Sequence, residues 1–454
     1  MESILLDSLI LSRIQFAFTL SFHIIFPTLT IGLACYIAIM EGMWLKTGKR
    51  QYRAQVDYWL KPFALTFGMG VVTGVVLSYE FGTNFSRFTD ITGPVIGPLM
   101  AYEVMTAFFL EAGFLGIMLF GRNKVSPKIY FFATSTVAVG TLLSSFWIIA
   151  ANSWMQTPQG AELIDGQYVV ISWYQVIFNP SFGYRLSHML MASFVTTGFV
   201  IAGVNAALIL KRGNKAKYLA PLKGAIIALA ILTPLQVVIG DLHGLNVKEY
   251  QPMKVAAMEG IWQDEKGAGF RIVAWPSKEQ QRNIFEIKIP YLASLVLTHE
   301  LEGEVKGLTN VKPQDQPNVF MVFYSFRVML FIGVLMLLAA FYGSYLLLKA
   351  KSLPKLYLRL LKWMIPSGFI ATLAGWYVAE IGRQPWVVYG QLKTENVHSL
   401  VSAEQVALSL ALFIVSYTLV FSVYCYFMKK TLLRQSQSNT SIKTELNNAG
   451  GTYA

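Results

Sequence analysis

Four side chains able to ligate a transition metal lie in long apolar runs of this 454-residue sequence: His23 in SFHIIFP, His188 in YRLSHMLM, Met329 in SFRVML and Glu380 in GWYVAEIGRQPW. A charged or strongly polar group at mid-bilayer costs about 2.5–3.5 kcal/mol on insertion scales, so the histidines and the glutamate each need a compensating partner. Imidazole, thioether and carboxylate are all axial ligands that proteins offer to haem iron. The plainer alternative gives each histidine a hydrogen bond to a neighbouring helix and leaves Met329 as a space-filling core residue. No H-x-x-x-H or H-E-x-x-H pair occurs, which disfavours a helix-borne zinc site. His243, His299 and His398 fall in expected loops, where a solvated or loop-bracing histidine is the default.

A second anomaly is the stretch PLMAYEVMTAFFLEAGFLG, which carries Glu103 and Glu111 without an internal base. In an unbroken α-helix, eight residues separate them by about 12 Å along the axis and roughly 80° around it. Two acids spaced up an apolar helix suit a proton relay. The competing account bonds each acid to an arginine or tryptophan of a neighbouring helix.

The elements that must hold these groups are membrane helices. Over half the residues (54%) are hydrophobic and only 14% are charged. Apolar runs long enough to cross a hydrocarbon core of about 30 Å recur throughout. Nine spans are expected, at about 12–40, 61–81, 95–120, 128–151, 183–210, 218–240, 319–348, 358–382 and 402–428. Lipid cannot satisfy open backbone, and alternating barrel strands are missing from the pattern, so the expected fold class is an all-α polytopic membrane protein with its helices in bundles. The first span is too long, and lacks the small-residue site, for a cleavable signal peptide.

The net charge of +12 is a topology signal, and no nucleic-acid partner is expected. Lys46, Lys49, Arg50 and Arg53 follow span one, and Arg122, Lys124 and Lys128 follow span three. Basic clusters also follow spans five, seven and nine, so the positive-inside rule puts the N-terminus outside and the C-terminus in the cytoplasm. The one long extramembrane segment, about 241–318, then lies outside. Cys35 and Cys425 are isolated and make neither a structural disulfide nor a zinc or iron–sulfur site. Residues 1–434 read as a single membrane-embedded domain, and the polar tail 435–454 is expected to be disordered.

Seven motifs in order over this frame identify a resemblance: SRIQFAFTLSFHIIFP, EFGTNFS, AYEVMTAFFLEAGFLG, ANSWMQTP, KVAAMEGIW, FRVM and GWYVAEIGRQPW. The chain resembles subunit I of the cytochrome bd-type quinol oxidases over almost its whole length. That resemblance implies a terminal oxidase of a bacterial plasma membrane, which oxidises quinol at the outer face and reduces dioxygen to water with cytoplasmic protons. A proton-motive force would follow. It further implies three haems: a low-spin haem b held by His188 and Met329, and two high-spin haems, one each on His23 and Glu380. The high-spin pair would be a haem b with either haem d or a second haem b. Arg383 would suit a haem propionate, and Arg13 and Asn152 lie in matching motifs near the haems. Glu103 and Glu111 match the acids of the oxygen-reducing side, and Lys254 and Glu259 match the quinol loop. For the latter two the alternative is a solvated salt bridge, worth under about 1 kcal/mol.

Expected partners are membrane quinol, dioxygen, a related subunit II and a small single-span subunit. Segment 241–318 makes this a short-loop form, and VVYGQLKT after GRQPW is similar to cyanide-insensitive members. Two other classes fit parts of the pattern: an ion-coupled transporter, which would bind no pigment, and an electron-transfer cytochrome that never meets oxygen.

Overall fold

Nine helical segments among the described residues are long and apolar enough to cross a membrane. The computed structural model describes residues 7–213, 215–349 and 352–449, with side chains described except at 215–217 and 433–449. The first two spans are α1 (Ser8–Thr47) and α2 (Arg50–Thr83). Asp7 caps α1 by accepting the Leu9 N–H at 2.8 Å, and Gly48 ends it in the left-handed region at φ 64°. The third span is α3 (Ser86–Glu103), a π-helical segment (Val104–Phe108) and α4 (Phe109–Phe120). That π segment lies between the two acids, so the phase expected of an unbroken α-helix does not apply across it.

Span four is α5 (Pro127–Gln156). A hairpin of β1 (Ala161–Ile164) and β2 (Gln167–Val170) follows, turning through Asp165 and Gly166 at φ 51° and 85°. After α6 (Trp173–Ile177) come spans five and six, α7 (Phe182–Arg212) and α8 (Lys215–Tyr250). The extramembrane segment holds α9 (Pro252–Glu259), β3 (Glu265–Lys266), β4 (Phe270–Ser277), β5 (Arg282–Ile289), α10 (Leu292–Thr298) and β6 (Glu304–Val305). Antiparallel pairs β3–β6 and β4–β5 tie it together. Span seven contains α11 (Val319–Lys349), and span eight is two pieces, α12 (Lys355–Trp363) and α13 (Ser367–Ile381). A hairpin of β7 (Trp386–Val388) and β8 (Leu392–Lys393) leads to α14 (Ala403–Ala449). α14 carries helical backbone into the tail expected to be disordered, whose side chains lie outside the described residues, as do residues 450–454 altogether.

The chain divides into two compact units, Met1–Glu80 with Phe109–Thr141 and Leu400–Ala454, and Phe81–Phe108 with Leu142–Ser399. In the first, α1 packs on α14 through an aromatic cluster in which Phe22 meets Tyr417 and Phe421 at centroid distances of 4.7 and 5.2 Å. In the second, α7 is the central helix and packs against α8, α12 and α13. Its small residues permit that approach: a Cβ at Gly198 would stand 2.7 Å from Leu229, and Gly203 leaves none of the room a Cβ would need beside Ile365. α13 packs against both α7 and α11, so the helices bearing His188 and Met329 flank the helix bearing Glu380.

Candidate functional site

Glu380 occupies the last turn of α13, and its carboxylate is held from three directions. Asn152 Nδ2 donates to Oε1 at 2.9 Å, Gln156 Nε2 donates to the same oxygen at 3.2 Å, and Arg383 Nη2 donates to Oε2 at 2.5 Å. Asn152 and Gln156 lie one α-helical turn apart at the end of α5, so one helix end presents both amides. A carboxylate offers about four lone-pair sites, and three N–H donors leave room for one further ligand. Arg383, expected on a propionate, is thus bonded first to the glutamate itself.

Beside this carboxylate, Arg383 Nε and Nη1, Arg185 Nε and Asn152 Oδ1 are buried without a partner, and in the same unit so are His188 Nδ1 and His243 Nε2. Buried polar groups are normally satisfied, so a set of orphans marks where a bound group belongs. Carboxylate-bearing haem edges fit the guanidinium donors. Among the described residues no three His, Cys, Asp or Glu side chains converge to hold a bare metal ion. A macrocycle that brings four nitrogens needs only one or two protein ligands, which these positions offer.

His188 lies on α7, with Nε2 3.4 Å from Gln236 Nε2 and its ring 5.4 Å from that of His243. His243 does not sit in the expected loop. The structure continues α8 to Tyr250, because the polar end of that helix packs on protein, and puts His243 inside it. Met329 on α11 rests over Gly375 of α13, where a Cβ would stand 3.0 Å from its sulfur. In the other unit, His23 Nδ1 is 2.9 Å from Thr73 Oγ1, and a Cβ at Gly74 would stand 3.2 Å from the ring. Beside Phe22 and Thr73 runs a groove of about 600 Å³ lined by α1, α2 and α14.

Lys254 and Glu259 do not form a solvated pair. Both are buried, at 2% and 4% exposure, and each is bound elsewhere. Lys254 Nζ donates to Gln156 Oε1 at 2.7 Å. Burial, with Arg185 nearby, holds its amine well below the usual lysine range. Glu259 Oε2 accepts from Arg327 Nη2 at 2.8 Å, and burial raises its carboxyl despite that partner. The short helix α9 is therefore fastened at one end to α5 and at the other to α11, two residues before Met329 in sequence.

The remaining candidates are more dispersed. Glu103 accepts a hydrogen bond from Ser144 Oγ at 2.8 Å. Glu111 is buried in the first unit against Gly140, where a Cβ would stand 2.5 Å from its Cγ. Arg13 is exposed on α1. Sequence reasoning missed Gln156, Arg185 and Glu80. Glu80 is buried on α2 and accepts from Thr19 Oγ1 at 2.7 Å and Gln15 Nε2 at 3.3 Å. Its position in EFGTNFS, at the end of an apolar run, was the available signal. Gln156 lies in ANSWMQTP but, as an uncharged residue at a helix end, has no signal of its own beyond that motif.

Known proteins match this arrangement along nearly the whole chain. Residues 11–436 fit the family described as cytochrome bd terminal oxidase subunit I. The chain is 35% identical to the cytochrome bd ubiquinol oxidase subunit 1 of Bacillus subtilis (strain 168), over 91% of each chain. It is 33% identical to the cytochrome bd-II ubiquinol oxidase subunit 1 of Escherichia coli (strain K12), over 93% of this chain and 96% of that one. Its fold is similar to that of the bd oxidase from Geobacillus thermodenitrificans, with a TM-score of 0.87 at 29% identity, covering 94% of this chain and 99% of that one. With nine apolar spans and matches of this extent, the chain belongs to the cytochrome bd terminal oxidase subunit I family, multi-pass bacterial membrane proteins that are quinol:oxygen oxidoreductases.

Proposed function

We propose that this subunit carries three haems and is the catalytic subunit of an electrogenic quinol oxidase. The observation that carries the proposal is the Glu380 carboxylate, tied by three N–H donors, open to one more ligand and ringed by unpartnered guanidinium nitrogens. When bound, haem supplies the one-electron carriers and the centre at which dioxygen is reduced. The chain's residues do the rest. Glu380 and His23 each hold one high-spin group, a haem b and either haem d or a second haem b. Thr73 fixes the His23 ring through Nδ1 and so leaves Nε2 as the ligating nitrogen. His188 and Met329 hold the low-spin haem b, and Arg185 and Arg383 bind carboxylate edges. Asn152 orients Glu380. Arg13 has no such contact to support it and keeps only its place in the motif.

The extramembrane segment around α9 takes quinol, with Glu259 bracing it against the helix of Met329. Basic residues after the odd-numbered spans support an N-terminus outside, which makes this quinol face the outer one. Each quinol gives two electrons and two protons there, and two quinols account for one dioxygen reduced to water. Glu111 and then Glu103 carry protons inward from the cytoplasmic side, and each charge moved stores about 2.3 kcal/mol per 100 mV. A related subunit II and a small single-span subunit complete the assembly.

Reduced-minus-oxidised spectra of the purified complex, with and without carbon monoxide, test this. Low-spin haem together with a carbon monoxide-sensitive high-spin species is the expected result. A preparation without pigment would favour a transporter, and six-coordinate haem alone would favour a simple electron-transfer cytochrome.

A further inference from the structure

The β4–β5 hairpin carries its polarity reversed. On one face, Arg271 of β4 is 3% exposed, and its Nε donates to Glu286 Oε2 of β5 at 2.7 Å. Asn283 Nδ2 donates to the same Glu286 oxygen at 2.7 Å and to Gly260 O, at the end of α9, at 2.9 Å. Arg327 Nε, from α11, donates to Arg271 O at 2.6 Å. Side chains alternate across a strand, so the opposite face carries Val273, Trp275, Phe285, Ile287 and Ile289, and all five are exposed. Val273 and Ile287 are direct cross-strand partners. An antiparallel sheet with one wet face puts its apolar side chains inward and its polar ones outward. This hairpin does the opposite.

A contiguous exposed apolar face marks a surface made for a partner. Here the neighbouring helix indicates which. Trp275 packs edge-on against Phe320 in the first turn of α11, with ring centroids 5.3 Å apart, and Tyr324 Oη donates to Ala274 O at 2.8 Å. From Phe320 an exposed apolar stripe continues along α11 through Val328, Phe331, Leu335 and Leu338 at helical spacing. α11 belongs to a membrane span, so the apolar face of the hairpin extends a surface that meets lipid. Trp and Tyr collect where membrane meets water, and Trp275 and Tyr324 join hairpin to helix at that level. Arg282 and Lys288 are exposed on β5, where cations suit anionic headgroups, and the turn 278–281 is polar.

We propose that the β4–β5 hairpin lies on the bilayer, its apolar face seated between headgroups and acyl chains at the N-terminal end of α11. The partner of this face is the phospholipid leaflet. Because Asn283 bonds the residue that ends α9, the same seating fixes the depth of α9 relative to the membrane.

Nitroxide labels on the oxidised holo-complex, reconstituted in phosphatidylethanolamine–phosphatidylglycerol vesicles, test this. Cys35→Ser and Cys425→Ser first remove the two native thiols. Phe285→Cys or Ile287→Cys then puts a label on the apolar face, and Gln280→Cys puts one on the turn. All three positions are exposed, so a label displaces no packed core, and haem spectra of each labelled complex confirm assembly. Power saturation reads collisions with oxygen, which enters lipid, and with a nickel chelate, which stays in water. Labels at Phe285 and Ile287 should meet oxygen more often than the label at Gln280. They should meet the nickel chelate at least about tenfold less often, since polar solutes are excluded from hydrocarbon. Nickel collisions at either face position that match those at Gln280 would overturn the proposal, because the face would then stand in water. Protection of both face positions from both reagents would overturn it too, because a protein surface such as subunit II would then cover the hairpin.

Discussion

Replacing Glu259 by glutamine keeps the shape of the side chain and removes its charge, so the effect reports the buried pair with Arg327. The two side chains are 5% and 11% exposed and meet at 2.8 Å. Removing one partner of a buried pair costs about 3–5 kcal/mol, because the other charge is left without compensation. Here Arg327 would keep two backbone acceptors, Arg271 O at 2.6 Å and Met258 O at 3.2 Å. Its guanidinium also lies 4.2 Å and 4.4 Å from the ring centroids of Phe270 and Phe323. These residual contacts put the loss at the low end, about 3 kcal/mol, or somewhat over a hundredfold in the equilibrium between docked and undocked α9.

Hydrogen exchange of the purified complex, read by mass spectrometry, measures that equilibrium directly. Protection of amides in α9 should fall by about that factor in Glu259→Gln, while amides in the inner half of α11 stay as they were. Adding Arg327→Met should restore part of the loss, since no buried charge would then be stranded. Unchanged exchange in α9, or single losses that simply add in the double variant, would refute the reasoning. Strong sensitivity to salt would do the same, because a pair this buried is poorly screened.

The other expectations are more direct. Met329→Leu nearly conserves volume and should leave the protein folded, while the low-spin optical signature disappears; its persistence would remove Met329 from the site. Glu111→Gln should leave early oxygen binding intact after flash photolysis of the carbon monoxide-bound reduced enzyme. The later proton-coupled phases should slow about tenfold, corresponding to about 1.4 kcal/mol of barrier. In the extramembrane segment, hydrogen bonds from Arg271, Asn283 and Lys288 overcome the effect of burial and hold the Glu286 carboxyl at about 2, below its ordinary 4.5. Its contribution to stability is therefore full above pH 4.5 and fades as pH falls toward 2. Limited proteolysis between β4 and β5 should accelerate only in that acidic window, and acceleration near neutrality would contradict it.

The nine spans were legible because an apolar run of twenty residues is hard to house anywhere but in a bilayer. Interruptions within them were not. The π segment after Glu103 and the break between α12 and α13 alter hydrogen bonding without altering apolar character. The site was half legible. His23, His188 and Glu380 stand out as polar groups in lipid-length runs, whereas Met329 needed a family motif to separate it from core. The burial of Lys254 and Glu259 was not legible, because a charged residue in a loop usually faces solvent and only tertiary packing reveals that α9 is buried; the solvated salt bridge, the alternative reading of the pair, is the part that fails. His243 was misplaced for a related reason, since GDLHGLNVKEY looks too polar to continue a helix that is sheltered by protein. Gln156 was invisible apart from its motif: an amide carries no hydropathy anomaly.

Three of the side chains proposed to reach iron rest over glycines of neighbouring helices: His23 over Gly74, His188 over Gly240 and Met329 over Gly375, with a Cβ standing 3.2, 3.4 and 3.0 Å away. Each of these glycines sets how closely a ligand-bearing helix is approached. The consequence is a constraint on how the sequence can drift. Each ligand and its glycine lie on different helices and far apart in the chain, so they must be inherited as a pair. A lineage that exchanged Met329 for a bulkier or differently shaped ligand would be blocked unless Gly375 or its helix moved in the same history. At Gly74 and Gly375, where a Cβ would stand closer than ordinary contact, a change to alanine that looks mild on paper should therefore seldom persist.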